Sequence, residues 1–180
     1  MRKRKLRRLA IAIAALFALT GGTAAAVITS TKGGLQVSVD KRTSDLPSST
    51  SNQFWSDVNG ASVLVSVPAG QSRLYDVPFY AESQCSGPMG GTCAVRIVAL
   101  NLDTNVLTEL SPQSGIDFAF DTDVPGAPDD LREGHAMERS ARLAADNDGT
   151  DYQIEVQYAV TNNQTTFTLD DWHLAVLANV

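Results

Sequence analysis

Apolar and polar residues alternate with a period of two along much of the chain after residue 60. The clearest run is YQIEVQYAV at 152–160. One face of this run is apolar and carries Tyr152, Ile154, Val156, Tyr158 and Val160, whereas the other carries Gln153, Glu155 and Gln157. Because side chains alternate across a strand, the run predicts a strand with one buried face and three polar residues in water.

The same alternation predicts several further strands, and no window of eleven residues or more shows a clean helical period. These strands lie at 61–67, 73–81, 93–100, 106–110, 116–121, 165–169 and 171–178. Residues 93–100 are apolar on both faces apart from Arg96, which predicts a central strand. Pro78 lacks an amide proton and predicts an edge or bulged strand. We therefore expect an all-β fold, a single two-sheet sandwich of about eight antiparallel strands arranged as a jelly roll.

The role of Trp172 and the structure of residues 129–143 each have two interpretations. Trp172 shares its face with Leu174 and Val176, which favours a core position over a sugar-stacking platform. Residues 129–143 read either as a short helix or as a loop followed by a strand, and Gly134 with the broken apolar period favours the second.

The N-terminus has the layout of a secretory signal peptide over residues 1–26. A basic cluster, MRKRKLRR, precedes an apolar run and small residues, with Ala24 and Ala26 at the positions that cleavage requires. The alternative is an uncleaved anchor over 9–28, which lacks charged residues. In both interpretations the rest of the chain is exported. A Ser/Thr-rich linker with one short edge strand at 35–40 follows over 27–52, and the folded domain is expected over 53–180.

The exported part of the chain is strongly acidic. Six of the fourteen basic residues lie in the first eight positions, so eight remain against all twenty acidic residues, a net charge of about −12. Such a surface repels phosphate groups, which argues against a nucleic-acid partner and against lipid binding other than through the N-terminal segment. It favours neutral glycans, cationic proteins or calcium-bridged partners.

Cys85 and Cys93 enclose seven residues rich in Gly and Pro. In an exported protein this pair predicts a disulfide across a tight reversal. Too few soft ligands remain for a zinc-ribbon, haem or iron–sulfur centre.

A dense acidic stretch offers oxygen ligands of the kind that Ca²⁺ accepts. Its members are Asp117, Asp121, Asp123, Asp129, Asp130 and Glu133. The spacing does not match an EF-hand loop, and a solvated acidic loop is the alternative to a calcium site.

The two histidines lie beside carboxylates, His135 next to Glu133 and His173 next to Asp171. If their segments are neighbours, they form a composite site for a metal-activated water, the basis of a metal-dependent hydrolase hypothesis. The alternative is that each histidine hydrogen-bonds a nearby carboxylate. No nucleophile elbow or phosphate-binding glycine loop is present in the sequence. Trp55, at the entrance of the domain, is a candidate ligand contact or a cap on the sandwich.

With these strands laid out, the chain resembles the small exported β-sandwich proteins of high-GC Gram-positive cell envelopes. The ending FTLDDWHLAV is similar to the last strands of carbohydrate-binding jelly rolls. The chain departs from typical sugar-binding modules because it has no evident row of exposed tryptophans.

The sequence favours an exported, non-enzymatic binding module with working loops at 85–93 and 121–135, because loops carry function on such scaffolds. Its tentative ligand contacts are Trp55, Asp171, His173 and His135. The alternatives are a structural envelope protein that forms homo-oligomers and the hydrolase described above.

Overall fold

The structure, a computed structural model, describes residues 29–33, 37–87, 91–115, 118–123 and 132–179. The predicted signal peptide or anchor at the N-terminus lies outside these residues. No helix long and apolar enough to cross a membrane occurs within the described ranges. The described residues form eleven strands: β1 Thr29–Gly33, β2 Val37–Ser44, β3 Ser48–Thr50, β4 Ser56–Val67, β5 Ser72–Ser86, β6 Thr92–Asn101, β7 Leu107–Glu109, β8 Asp121–Thr122, β9 Glu133–Ala144, β10 Thr150–Val160 and β11 Thr166–Asn179.

The strands form two antiparallel sheets that pack as a jelly roll, which confirms the predicted fold class. The six-stranded sheet has the order β1-β2-β11-β5-β9, with β3 also paired to β11. The five-stranded sheet has the order β4-β10-β6-β7, with β8 also paired to β6. From β4 to β6 and from β9 to β11, successive strands alternate between the sheets, as two interlocked Greek keys require. Eight of the strands form the jelly-roll framework, about as many as predicted, and β1, β3 and β8 are short additions. The strands expected at 165–169 and 171–178 are one strand, β11.

The core lies between the inner faces of the two sheets. It contains the apolar face predicted for β10 and the alternate residues Tyr75, Val77 and Phe79 of β5. Trp172 is 1% exposed, which confirms its predicted core position. Burial of this apolar area stabilises the sandwich at about 25 cal/mol per Å².

The sandwich begins nearer to the N-terminus than the sequence predicted. Strands β2 and β3 fall within the segment 27–52, which was expected to be a linker, and both pair with β11. Their Ser/Thr-rich composition resembles a spacer, but the ladder with β11 satisfies their backbone groups. The edge strand expected at 35–40 is instead β2, which has β1 on one side and β11 on the other.

Pro78 lies in a central strand, so its predicted edge position is wrong. β5 pairs with β9 without interruption through Pro78 and Glu138. Its ladder with β11 has a gap between the pairs Phe79–Leu174 and Asp76–Leu177. The missing amide proton therefore falls where the ladder with β11 is open, and a central proline is tolerated.

Two further segments differ in extent from the prediction. The strand expected at 116–121 is reduced to the two residues of β8, and residues 116–117 lie outside the described ranges. In the segment 129–143, the strand half of the loop-then-strand interpretation is confirmed by β9, and residues 129–131 lie outside the described ranges. A bulge in β11 places Asp171 in the left-handed region, with φ 44°.

Candidate binding face on the five-stranded sheet

The outer face of the five-stranded sheet carries a connected group of polar side chains, which we call the outer-face cluster. Its members come from β4, β6, β7 and β10 and are Asp57, Arg96, Glu109, Gln153, Glu155 and Gln157. They alternate with inward-facing core residues. The cluster therefore lies on the side of the sheet that faces away from the other sheet.

Gln157 is the centre of the outer-face cluster. Its amide oxygen accepts hydrogen bonds from Nε and Nη2 of Arg96, at 2.8 and 2.6 Å. Its amide nitrogen donates to Oδ1 of Asp57 at 2.8 Å and to Oε1 of Glu155 at 3.0 Å. Both ends of the amide are satisfied, so its orientation is fixed by its neighbours.

An irregularity in β4 brings Asp57 to this position. Glu155 of β10 is opposite Ser62, whereas Gln157 is opposite Asp57, so β4 holds extra residues between these two pairs. Gly60 has φ 79° within this bulge, a conformation that suits glycine. The bulge shifts the start of β4 so that an exposed carboxylate faces the Gln157 amide.

Trp55, a candidate ligand contact from the sequence, lies against the cluster. The Cζ atom of Arg96 is 4.5 Å from the centroid of its ring, a cation–π contact. The segment that precedes β4 is anchored to the end of β10, because the Val160 amide donates to the Asn52 carbonyl oxygen at 2.9 Å. The half-buried indole is therefore held beside the guanidinium plane.

Some side chains of the cluster are buried and others are accessible to solvent. Glu155 and Gln157 are 6% and 7% exposed, so the prediction that they face water is wrong. Arg96 and Gln153 are half-buried, and Asp57 is exposed. The buried pair fixes the accessible groups in place, which is the arrangement that a preorganised binding surface requires.

Burial changes the proton affinities in the cluster. Desolvation is the main cause of a raised pKa at Glu155, and the charge of nearby Asp57 raises it further. Desolvation also lowers the pKa of Arg96, against the charges of Glu109, Glu155 and Asp57. Glu109 lies 3.7 Å from Nη1 of Arg96 and accepts a hydrogen bond from the Ser114 amide at 2.6 Å.

Three leucines lie beside Gln153, at the end of the cluster, on the same face. The register places Leu64 of β4, Gln153 of β10, Leu100 of β6 and Leu107 of β7 side by side across the sheet. Leu64 and Leu107 are exposed. The outer face therefore offers fixed polar groups between an indole and a row of leucines.

Asp121 and His135 meet elsewhere, through a residue that the sequence did not single out. Ser83 donates a hydrogen bond to Oδ2 of Asp121 at 2.7 Å, and its hydroxyl lies 2.8 Å from Nδ1 of His135. Nε2 of His135 is 3.9 Å from Glu133. These contacts join β8 of one sheet to β5 and β9 of the other.

The acidic residues expected to bind calcium lie only partly within the described ranges. Ser83 is 1% exposed and occupies the position between the Asp121 carboxylate and the imidazole. Within the described ranges, no three His, Cys, Asp or Glu residues are grouped so that they could hold a metal ion. Asp123 is described but its Oδ2 is buried without a hydrogen-bond partner among the described residues, and Asp129 and Asp130 lie outside them.

His173 lies on the outer face of the six-stranded sheet, in edge-to-face contact with Tyr80 at 4.6 Å between ring centroids. His135 points toward the interior, where it contacts Phe120. The two histidines therefore lie on opposite faces of one sheet, and the composite hydrolase site is not formed. Asp171 is exposed at the bulge of β11, and its amide donates to Oδ1 of neighbouring Asp170.

The predicted disulfide is confirmed, with a Cα–Cα distance of 5.9 Å between Cys85 and Cys93. Cys85 belongs to β5 and Cys93 to β6, so the bond connects the two sheets.

Sequence reasoning did not identify any of the six members of the cluster as a site residue. Arg96 did give a signal, since it is the one charged residue in an otherwise apolar strand at 93–100. A cation within a central strand needs partners on its own face, and the alternation of β10 supplies them there.

No family model matches the chain, and no curated protein sequence matches it significantly. A solved xylan-binding domain of carbohydrate-binding module family 22 shares 11% identity over 88% of this chain and 83% of that chain, with a TM-score of 0.28. A family 16 carbohydrate-binding module shares 11% identity over 83% and 86% of the two chains, with a TM-score of 0.27. The accessory secretory protein structure from Streptococcus pneumoniae shares 12% identity over 82% and 88%, with a TM-score of 0.26. The fold assignment rests on the strand pairing of this chain itself.

Proposed function

We propose that the protein is an exported binding module that holds a glycan on the outer face of its five-stranded sheet. Export is supported by the signal-peptide pattern of residues 1–26 and agrees with the disulfide between Cys85 and Cys93. The function is proposed to be binding, with no chemical step assigned.

The observation that supports the proposal most strongly is the fixed arrangement of Trp55, Arg96 and Gln157, in which the guanidinium lies over the indole and donates hydrogen bonds to the amide. Sugars present hydroxyl groups around the ring and apolar C–H faces above and below it. A planar guanidinium and a carboxylate match the hydroxyls as donor and acceptor, and an indole face matches the C–H groups. Because Gln157 already holds Arg96, little side-chain entropy is lost when a ligand is bound.

The proposal is tested by retention of the purified protein on immobilised polysaccharides of neutral, uronic-acid and amine-bearing types. We expect at least one of them to retain the wild-type protein and Trp55→Ala to weaken that binding by roughly tenfold or more. Tyr80→Ala is the matched control, because it removes an exposed aromatic ring from the outer face of the other sheet. Retention on none of the polysaccharides, or equal loss in the two variants, contradicts the proposal.

A further inference from the structure

Asn59 and Gly60 form an exposed tip on the bulge of β4. Four residues of β4, 58–61, lie opposite a single residue of β10. The first and last of the four, Val58 and Ala61, are buried at 3% and 1% exposure. The two between them are exposed. The core therefore holds both ends of the bulge, and the Asn-Gly pair projects into solvent.

The glycine places no side chain beside the backbone nitrogen that follows Asn59. Gly60 has φ 79°, close to the value for the third residue of a type II turn. Since glycine has no Cβ atom, another group can approach its backbone closely. Asn59 is the only asparagine in the sequence that precedes a glycine. The nearest group to that nitrogen along the chain is the carboxamide of Asn59 itself.

The carboxamide of Asn59 is not held by its surroundings. It makes no hydrogen bond with any residue in the described ranges. By contrast, Oδ1 of Asn101 accepts from the Asp103 amide at 2.9 Å. Oδ1 of Asn162 accepts from the Gln164 amide at 3.0 Å. The Asn59 side chain can therefore turn toward the following backbone nitrogen without breaking a side-chain hydrogen bond.

We propose that Asn59 is a modification site at which the chain deamidates without an enzyme. The backbone nitrogen of Gly60 gives up its proton and attacks Cγ of Asn59. A new C–N bond forms, the bond from Cγ to the side-chain nitrogen breaks, and that nitrogen takes up a proton and leaves as ammonia. Water then opens the cyclic succinimide at either of its carbonyl groups, which yields aspartate or isoaspartate. The reaction consumes only water and changes no oxidation state.

The modification changes the surroundings of the outer-face cluster. Both products place a new carboxylate two residues from Asp57. Isoaspartate also adds one methylene group to the backbone of the bulge that aligns Asp57 with Gln157. We expect the 2.8 Å hydrogen bond from Gln157 to Asp57 to be weakened in the isoaspartate form. This effect requires no bound ligand.

The test is peptide mapping by tandem mass spectrometry while the purified protein is incubated at mildly alkaline pH. We expect a mass gain of about 1 Da at Asn59 before any other asparagine reacts, in two products that separate by chromatography. A second sample is unfolded in urea. The rate at Asn59 in the folded protein should lie within about threefold of the unfolded rate, because an exposed tip with few contacts opens at almost no cost in free energy.

Asn59→Gln is the matched control, because it keeps a carboxamide but would have to close a larger ring. It should show no mass gain at this position over the same period. If Asn59 stays intact in the folded protein and reacts only in urea, the fold protects the residue and the proposal is wrong. It is also wrong if another asparagine reacts first, or if Asn59→Gln gains mass at residue 59 as fast as the wild type.

The effect on the cluster has its own measurement. Nitrogen-15 NMR of the deamidated protein should show shifted signals for the side-chain amide of Gln157, whereas Asn59→Gln incubated in the same way should keep its signals in place. Signals that stay in place in the deamidated protein would contradict the expected weakening of the bond to Asp57.

Discussion

Arg96 and Gln157 are directly opposite each other on β6 and β10, and two guanidinium nitrogens of Arg96 donate to the same amide oxygen of Gln157. This contact determines the orientation of the whole amide. A flipped amide would place its NH₂ group against the guanidinium and its oxygen against two carboxylates. The pair therefore couples the positive and negative parts of the outer-face cluster.

Removal of Gln157 should destabilise the fold as well as the site. We expect Gln157→Met to lower the free energy of unfolding by about 1–3 kcal/mol, because buried Glu155 and half-buried Arg96 lose their shared partner. Arg96→Met should cost a similar amount. In a double-mutant cycle by chemical denaturation, the combined loss should be smaller than the two single losses together, by about 0.5–3 kcal/mol. Additive losses would show that the two residues act independently.

Glu155 should ionise at a higher pH than an ordinary glutamate. Burial raises its pKa above 4.5, and Asp57 adds to the shift. The folded state thus binds the proton more tightly than the unfolded state, so this group lowers stability as the pH rises from below 4.5 through the folded pKa. Carbon-13 NMR of the side-chain carboxyl group should show the raised midpoint, and Asp57→Asn should lower it only in part, because burial remains. A midpoint at the ordinary value would contradict the buried position.

His173 should shape the pH dependence of stability in the opposite sense. Burial, and then the positive charge of Lys41, lowers its pKa below 6.5. As the pH falls, the unfolded chain takes up the proton first, so stability decreases between about 6.5 and the lower folded pKa. His173→Phe keeps a ring beside Tyr80 and removes this titration. Its melting temperature should fall less than that of the wild type between about pH 7 and about pH 5. Identical pH profiles would show that His173 does not contribute.

The disulfide should support the sandwich without being required for folding. Cys85 and Cys93 are eight residues apart, so the bond closes a small loop. We expect the double variant Cys85→Ser, Cys93→Ser to lose roughly 2–3 kcal/mol of stability by thermal or chemical denaturation. The core between the sheets remains intact in that variant. Loss of the cooperative unfolding transition at room temperature would mean that the sheets depend on the cross-link.

Alternation in the sequence predicted the inner faces of the strands correctly, because every second residue of a strand that borders the core is apolar. It failed on the outer face of β10. Whether Glu155 and Gln157 are buried depends on Arg96 and Asp57, which are 61 and 100 residues from Gln157 along the chain. Strand register brings these residues together, and a local pattern does not contain that register.

The place of the polar N-terminal strands within the sandwich was not predicted, for a related reason. β2 has the sequence VSVDKRTS, whose charged and hydroxyl residues resemble a spacer. Its backbone is held by ladders with β1 and β11. β-strand propensity depends on such neighbours more than on the residues themselves.

The central claim is that the outer face of the five-stranded sheet receives the ligand. The chain contains two tryptophans, Trp55 on that face and Trp172 in the core, so the two indole N–H signals in a nitrogen-15 NMR spectrum report on both places at once. During titration with a retained oligosaccharide, the account predicts that the Trp55 signal shifts to saturation and the Trp172 signal stays in place. Saturable binding that leaves the Trp55 signal unmoved would contradict it.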